Sequence, residues 1–64
     1  MQENLKLLRP KAVCELLSIS PATLWRLTRD NKLNPPIKLG GRSVAFPESE
    51  ILDFVEKRKA EREQ

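Results

Sequence analysis

The chain contains no histidine and a single cysteine, Cys14, among its 64 residues. One cysteine excludes an intramolecular disulfide, and without histidine the chain cannot supply the mixed Cys and His ligands of a zinc site. A lone thiol fits a reducing compartment, so we expect a cytoplasmic protein. Cys14 falls where a small buried side chain is needed, and we expect it to pack in the core rather than to react.

Long apolar runs are also missing from the sequence. No stretch approaches the roughly 20 residues of a membrane span, and the N-terminus has no signal-peptide pattern, so we expect a soluble protein without a membrane partner. The length suits one domain over residues 1–64, without a part that senses a small-molecule effector. The carboxylates near the C-terminus stand in no arrangement that suggests catalysis, and we expect neither enzyme activity nor a cofactor.

Positive charge is concentrated in the first two thirds of the chain. Residues 1–46 carry eight Lys or Arg against three Asp or Glu, a balance of +5, whereas residues 47–64 carry four against six, a balance of −2. A basic segment of this kind is expected on a surface that meets phosphate. The charge therefore favours a nucleic-acid partner.

Two short helices separated by a tight turn are predicted in this basic part. The first begins near Pro10, which suits the first helical turn because it has no amide donor to leave unsatisfied, and it ends near Leu17. The second has Ser20 as its N-cap and Pro21 at its first position, and it ends near residues 30–31. The predicted inward-facing side chains are Val13, Cys14, Leu17, Ile19, Leu24 and Leu27.

A β-hairpin and a third helix are predicted to follow. Residues 34–36, Asn-Pro-Pro, cannot continue a helix. Residues 37–39 and 44–46 are β-prone and flank a Gly-Gly pair, which is a hairpin signal because a tight turn needs positive φ. Pro47 is predicted to open the third helix, whose apolar stripe is Ile51, Phe54 and Val55.

Both ends of the chain are expected to be less regular. Residues 1–8 resemble a short extended arm that Leu5, Leu7 and Leu8 pin to the core, and residues 60–64 are expected to fray. The resulting fold class is mainly α with a small β-hairpin. The order α-α-β-β-α predicts a winged helix-turn-helix, in which the second helix enters the DNA major groove and the hairpin is the wing.

The candidate DNA-binding residues lie on the second helix and on the hairpin. Arg26 either makes a bidentate contact to guanine or clamps a phosphate, and Thr23 either contacts a base or helps to cap its own helix. Trp25 either packs across the junction of helix and wing or contacts the sugar-phosphate backbone. The full set is Ser20, Pro21, Thr23, Trp25, Arg26 and Arg29 on the helix, with Lys38, Arg42 and Ser43 on the wing.

Four short blocks in this order resemble the AlpA family of small phage and prophage regulators. They are LRPK at residues 8–11, SISPATLWRL at 18–27, PIKLG with Arg42 at 36–42, and SEI at 49–51. The resemblance spans roughly residues 7–59. It implies a winged helix related to the MerR-type and excisionase folds, in a bacterial protein that associates with the nucleoid when bound to DNA. Two departures stand out: Ser18 replaces the usual turn glycine, and Asn34-Pro35 replaces a proline-basic pair, which removes one phosphate contact from the wing.

The resemblance implies a transcriptional regulator of a prophage or integrative element that binds double-stranded DNA. The partners that it implies are further copies of the chain on adjacent sites and an integrase or RNA polymerase. The first alternative is an excisionase that binds and bends attachment-site DNA. The second is a protein-interaction module that docks a partner through Trp25 and the charged tail. The operator sequence and the choice between activation and repression are not encoded in these motifs.

Overall fold

The computed structural model describes residues 6–62, so the predicted role of Leu5 lies outside the described residues. The elements are β1 (Leu7–Leu8), α1 (Pro10–Leu17), α2 (Pro21–Arg29), β2 (Ile37–Gly40), β3 (Ser43–Pro47) and α3 (Glu48–Arg62). The fold is mainly helical, with a three-stranded antiparallel sheet, and it is compatible with a winged-helix DNA-binding domain. The predicted fold class is therefore confirmed, with β1 as an addition to the predicted order.

The turn between α1 and α2 is built by a left-handed serine. Ser18 has φ 58° and ψ 46°, and its amide donates to the carbonyl of Glu15 at 3.3 Å. The next amide, that of Ile19, donates to the carbonyl of Cys14 at 3.0 Å. This pair of bonds is the Schellman arrangement that satisfies the last carbonyls of a helix. Ser18 thus adopts the conformation that favours glycine.

We expect Ser18→Gly to raise the free energy of unfolding by about 0.5–1 kcal/mol. Glycine adopts positive φ without the Cβ penalty, which stabilises the folded state. The greater entropy of glycine in the unfolded chain offsets only part of this gain. Thermal unfolding followed by circular dichroism should show a midpoint higher by about 2–8 °C. Ser49→Gly is the matched control: Ser49 is exposed inside α3, where glycine should lower stability. A loss of stability in Ser18→Gly would contradict the expectation.

Helix α2 begins and ends where the sequence predicts. The hydroxyl oxygen of Ser20 accepts from the amide of Thr23 at 3.2 Å, and Pro21 occupies the first helical position. After α2 the chain turns through Asn31, which has φ 61°, and Leu33 is then buried with 3% of its surface exposed. The cap therefore fixes the start of α2, and Leu33 ties its far end to the core.

The sheet places β3 between β1 and β2. β1 pairs with β3 through Leu7 opposite Pro47, so residues 7–8 of the predicted arm are extended and join the hairpin as a third strand, whereas residues 1–5 of that arm lie outside the described residues. Pro47 is therefore the last residue of β3 and not the first of α3, and that prediction was wrong. A proline can end a strand at a position whose amide is not needed by the ladder, and the amide of Glu48 instead donates to the carbonyl of Lys6 at 2.9 Å.

The core lies between the three helices and one face of β3. It consists of Val13, Cys14, Leu24, Leu33, Phe46 and Ile51, with Leu8, Leu17, Ile19, Leu27 and Phe54 packed around them. Phe46 is the largest fully buried side chain. Beyond this core α3 continues to Arg62, so residues 60–62 of the segment that was expected to fray are helical, and residues 63–64 lie outside the described residues. Because Phe46 belongs to the hairpin and Leu24 to α2, the core fixes these two elements relative to each other.

Candidate nucleic-acid interface

Helix α2 divides cleanly into a buried and an exposed face. Leu24 is fully buried and Leu27 packs against the core. The exposed side chains of α2 include five candidates or neighbours of candidates: Pro21, Ala22, Trp25, Arg26 and Arg29. All of them except Arg29, the last residue of α2, lie in the N-terminal two thirds of the helix, which is the part that a helix-turn-helix presents to base edges.

A chain of hydrogen bonds connects the cap of α2 to Arg26. The hydroxyl of Ser20 donates to Oγ1 of Thr23 at 3.1 Å, and Nη2 of Arg26 donates to the same oxygen at 3.4 Å. Thr23 is only partly exposed. Ser20 thus caps the helix, and Thr23 holds the guanidinium of Arg26 beside the first turn of α2.

Trp25 has the packing role that the sequence leaves open for it, and its contact with DNA stays a prediction. Its ring centroid lies 6.0 Å from that of Phe46, with the two planes tilted by 37°, so it packs on the central strand of the sheet. It nevertheless keeps 41% of its surface exposed. Trp25 therefore couples α2 to the hairpin and still presents an indole edge to a ligand.

The hairpin carries the other three candidates. Lys38 lies opposite Val44, two residues from Phe46, and cross-strand partners and alternate residues share a face of the sheet. Lys38 is therefore on the face against which Trp25 packs. Arg42 is exposed in the two-residue turn, and Ser43 is partly exposed at the start of β3. Gly41, with φ 54°, supplies the positive φ that this turn needs.

Three cations of α3 pair with nearby carboxylates, whereas most cations of the candidate surface do not. In α3 Lys57 lies 3.5 Å from Asp53, Arg58 lies 3.3 Å from Glu61 and Lys59 lies 3.4 Å from Glu56. Arg29 lies 3.5 Å from its neighbour Asp30, both well exposed. Within residues 6–62 no carboxylate pairs with Arg26, Lys38 or Arg42. Among the described residues, Arg26 on α2 and Lys38 and Arg42 on the wing thus lack the local pairing that Lys57, Arg58 and Lys59 have.

An open apolar groove of about 500 Å³ runs between α1 and α2 beside Trp25. Its lining includes Lys11, which is exposed in the first turn of α1 on the same side as Pro21 and Trp25. The first helix of a helix-turn-helix crosses the DNA backbone. Lys11 is thus a further candidate for a contact with a DNA phosphate. The sequence indicates this candidate only through a lysine in the first turn of α1.

The described residues form neither a cluster of metal ligands nor a membrane-spanning helix. No group of three or more potential metal ligands occurs among the described residues. Over the same stretch, every helix is too short or too polar to cross a membrane. The chemistry available at the surface of α2 and the hairpin is therefore that of cations, hydroxyls and one indole.

Comparison with protein families gives a match over most of the chain. A family model described as "Prophage CP4-57 regulatory protein (AlpA)" matches residues 6–59, which include both helices of the helix-turn-helix, the hairpin and most of α3. No curated protein and no solved structure matches the chain significantly.

Proposed function

The chain belongs to the AlpA family of prophage regulators, a family of phage-associated regulatory DNA-binding proteins, and we propose that it is a sequence-specific DNA-binding regulator of transcription in a prophage or an integrative element. The DNA is double-stranded, and the protein acts in the bacterial cytoplasm, on the nucleoid. An integrase or RNA polymerase is its further partner at the regulated site.

One observation carries this proposal: the capped helix α2 exposes Arg26 and Trp25 on the face opposite its buried leucine, Leu24. A helix of nine residues fits the major groove, which is about 12 Å wide, and its first turns reach base edges. Arg26 is the residue best suited to read a base, because a guanidinium matches the two acceptors of guanine. In this pose α2 reads the sequence.

The hairpin supplies contacts to the backbone in the same pose. Lys38 lies on the face of the sheet that carries Phe46 and against which Trp25 of α2 packs, and Arg42 lies at the turn. Cations at these positions meet the phosphates beside the groove that α2 occupies, where they add affinity but carry little sequence information. Arg29 and Lys11 are positioned to do the same from the two sides of α2.

A single copy offers a small contact area to DNA. Single modules of this size bury about 600–1,000 Å² of protein surface, which limits both affinity and site length. We therefore propose that two or more copies bind adjacent sites. Their spacing should follow the helical repeat, since each copy approaches the same face of the duplex.

The experiment selects bound duplexes from a random library and then measures affinity for the selected duplex as salt is raised. With about three to five phosphate contacts, a plot of log K against log salt should be linear with a slope of about −3 to −4.5. A scrambled duplex of equal length is the control and should bind more weakly with a similar slope. Failure to enrich any sequence, or a binding constant that salt does not change, would contradict the proposal and favour a protein-interaction module.

An excisionase role is the second candidate, and the exposed hairpin favours it. All four residues of β2 are exposed, and a protruding element of this kind is what architectural proteins use to deform DNA. Footprinting on the element's attachment site and on its integrase promoter separates the two roles. Protection of several sites in the attachment region alone indicates the excisionase.

A further inference from the structure

The tip of the hairpin carries one large apolar side chain and one cation. Residues 39–43 read Leu-Gly-Gly-Arg-Ser, so Leu39 and Arg42 flank a pair of glycines. Leu39 has 49% of its surface exposed and belongs neither to the buried core nor to the apolar residues packed around it. Arg42 is exposed and lies three residues away. Leu39 and Arg42 thus lie on the two sides of the glycine pair at the end of the hairpin.

A β-bulge releases Leu39 from the sheet. Lys38 pairs with Val44 and Gly40 with Ser43, so the one-residue step on β3 corresponds to two residues on β2, and Leu39 has no partner opposite it. Bulges of this kind redirect a side chain out of the regular alternation and occur next to functional sites. The β-bulge therefore lies at Leu39, the one large apolar residue of the tip.

The tip is also thin and free on its sides. A Cβ added at Gly40 or Gly41 would meet no atom within 4 Å, and β2 packs extensively only against β3 among the described elements. Two side chains are therefore missing where a hairpin would otherwise be broad. This shape suits the minor groove, which is only about 6 Å wide and whose negative potential attracts arginine.

We propose, on the basis of the DNA-binding function proposed above, that Leu39 is a wedge that enters the minor groove between two base pairs and kinks the duplex, with Arg42 held in the groove beside it. Apolar side chains inserted in this way partly unstack a base step and bend the DNA toward the major groove, which is the groove that α2 occupies in the proposed complex. The most easily opened steps are TA and CA/TG. The bend brings more of the duplex against the basic surface of α2.

Isolated exposed leucines are common on protein surfaces, and this chain contains others that lack the same setting. Leu52 is 51% exposed, but it lies on α3 beside Asp53, whose charge pairs with Lys57. Leu16 is exposed on α1, in a regular helix. Among the leucines that the structure describes, only Leu39 combines exposure with a bulge, two adjacent glycines and a neighbouring arginine.

The test uses the full chain and a selected duplex of about 30 base pairs, with donor and acceptor dyes at its ends and 2-aminopurine at successive positions on the wing side. Wild-type protein should bring the ends closer, by a bend of about 20–90°, and should raise 2-aminopurine fluorescence at one base step. Leu39→Ala should still bind, with affinity lower by about tenfold, but should abolish both signals. Leu39→Met should keep them.

Leu52→Ala is the matched control and should give wild-type affinity, bend and fluorescence. Circular dichroism should show the same fold for both alanine variants, because both leucines are about half exposed. A bound duplex that stays straight with wild-type protein, or one that Leu39→Ala bends as wild type does, overturns the wedge and leaves the DNA-binding proposal intact. If no duplex binds at all, both proposals fail.

Discussion

Phe46→Ala should leave much of the protein unfolded at 25 °C. Phe46 is the largest fully buried side chain, lies on the central strand and belongs to the core cluster. Truncating a buried phenylalanine costs about 3–5 kcal/mol, whereas a domain of this size has a total stability of about 3–10 kcal/mol. The thermal midpoint should fall by more than about 15 °C in circular dichroism.

Phe54→Ala is the matched control, because the chain has only two phenylalanines and Phe54 is only partly buried. Its loss should lower stability by clearly less, since part of the ring already contacts water. The fluorescence of Trp25, the single tryptophan, provides a second readout because its ring packs on Phe46. Equal destabilisation by the two substitutions would contradict the assigned core.

The contact between Trp25 and Phe46 also links the stability of the core to the geometry of the candidate DNA interface. Trp25 lies on α2 and Phe46 on β3, so their contact sets the distance between the helix proposed to read bases and the strand pair proposed to grip the backbone. Phe46→Leu keeps the core filled but removes one ring of this pair. A variant of this kind should stay folded, and any loss of DNA affinity would then reflect the relative placement of α2 and the hairpin.

Features set by neighbouring residues could be predicted from the sequence. Pro10 and Ser20-Pro21 determine the starts of α1 and α2 through local backbone chemistry, and Asn34-Pro35-Pro36 ends the helical region for the same reason. The Gly-Gly pair likewise predicts the hairpin. These signals lie within a few residues of the structure that they specify, which is why they can be interpreted in a single sequence.

Features that depend on distant pairing could not be predicted in this way. β1 is only two residues long, and it is a strand because Leu7 and Leu8 meet Pro47 and Phe46, about forty positions further along the chain. The same pairing places Pro47 in β3 rather than in α3. The bulge at Leu39 depends on the register between two strands, which turn composition alone does not determine.

The candidate interface shows the same division. The exposed face of α2 follows from helical periodicity once Leu24 and Leu27 are assigned to the core. By contrast, a count of lysines and arginines in the sequence treats all of them alike, whereas the structure pairs Lys57, Arg58 and Lys59 of α3 with carboxylates three or four residues away. The bond from Arg26 to Thr23 is also visible only in the structure. The nine candidate residues as DNA contacts remain a prediction.

Arg26→Ala is the substitution with the largest expected effect on DNA recognition. If Arg26 makes a bidentate contact to guanine, its loss costs about 1–3 kcal/mol, or about 5- to 150-fold in affinity, and the preference at one base pair should disappear. Titrations against the selected duplex and against all three substitutions of the read base pair measure both quantities. Arg58→Ala is the control, because Arg58 lies on α3 and pairs with Glu61, and it should change neither.

Arg26→Lys distinguishes reading a base from holding a phosphate. Lysine keeps the positive charge but lacks the planar fork of guanidinium, so a residue that reads guanine should lose most of its discrimination even where some affinity remains. A residue that clamps phosphate should tolerate lysine, because a point charge serves that purpose. A uniform, small loss on every duplex for both substitutions would therefore assign Arg26 to the backbone, and Thr23, Trp25 and Pro21 would then be left to select the site.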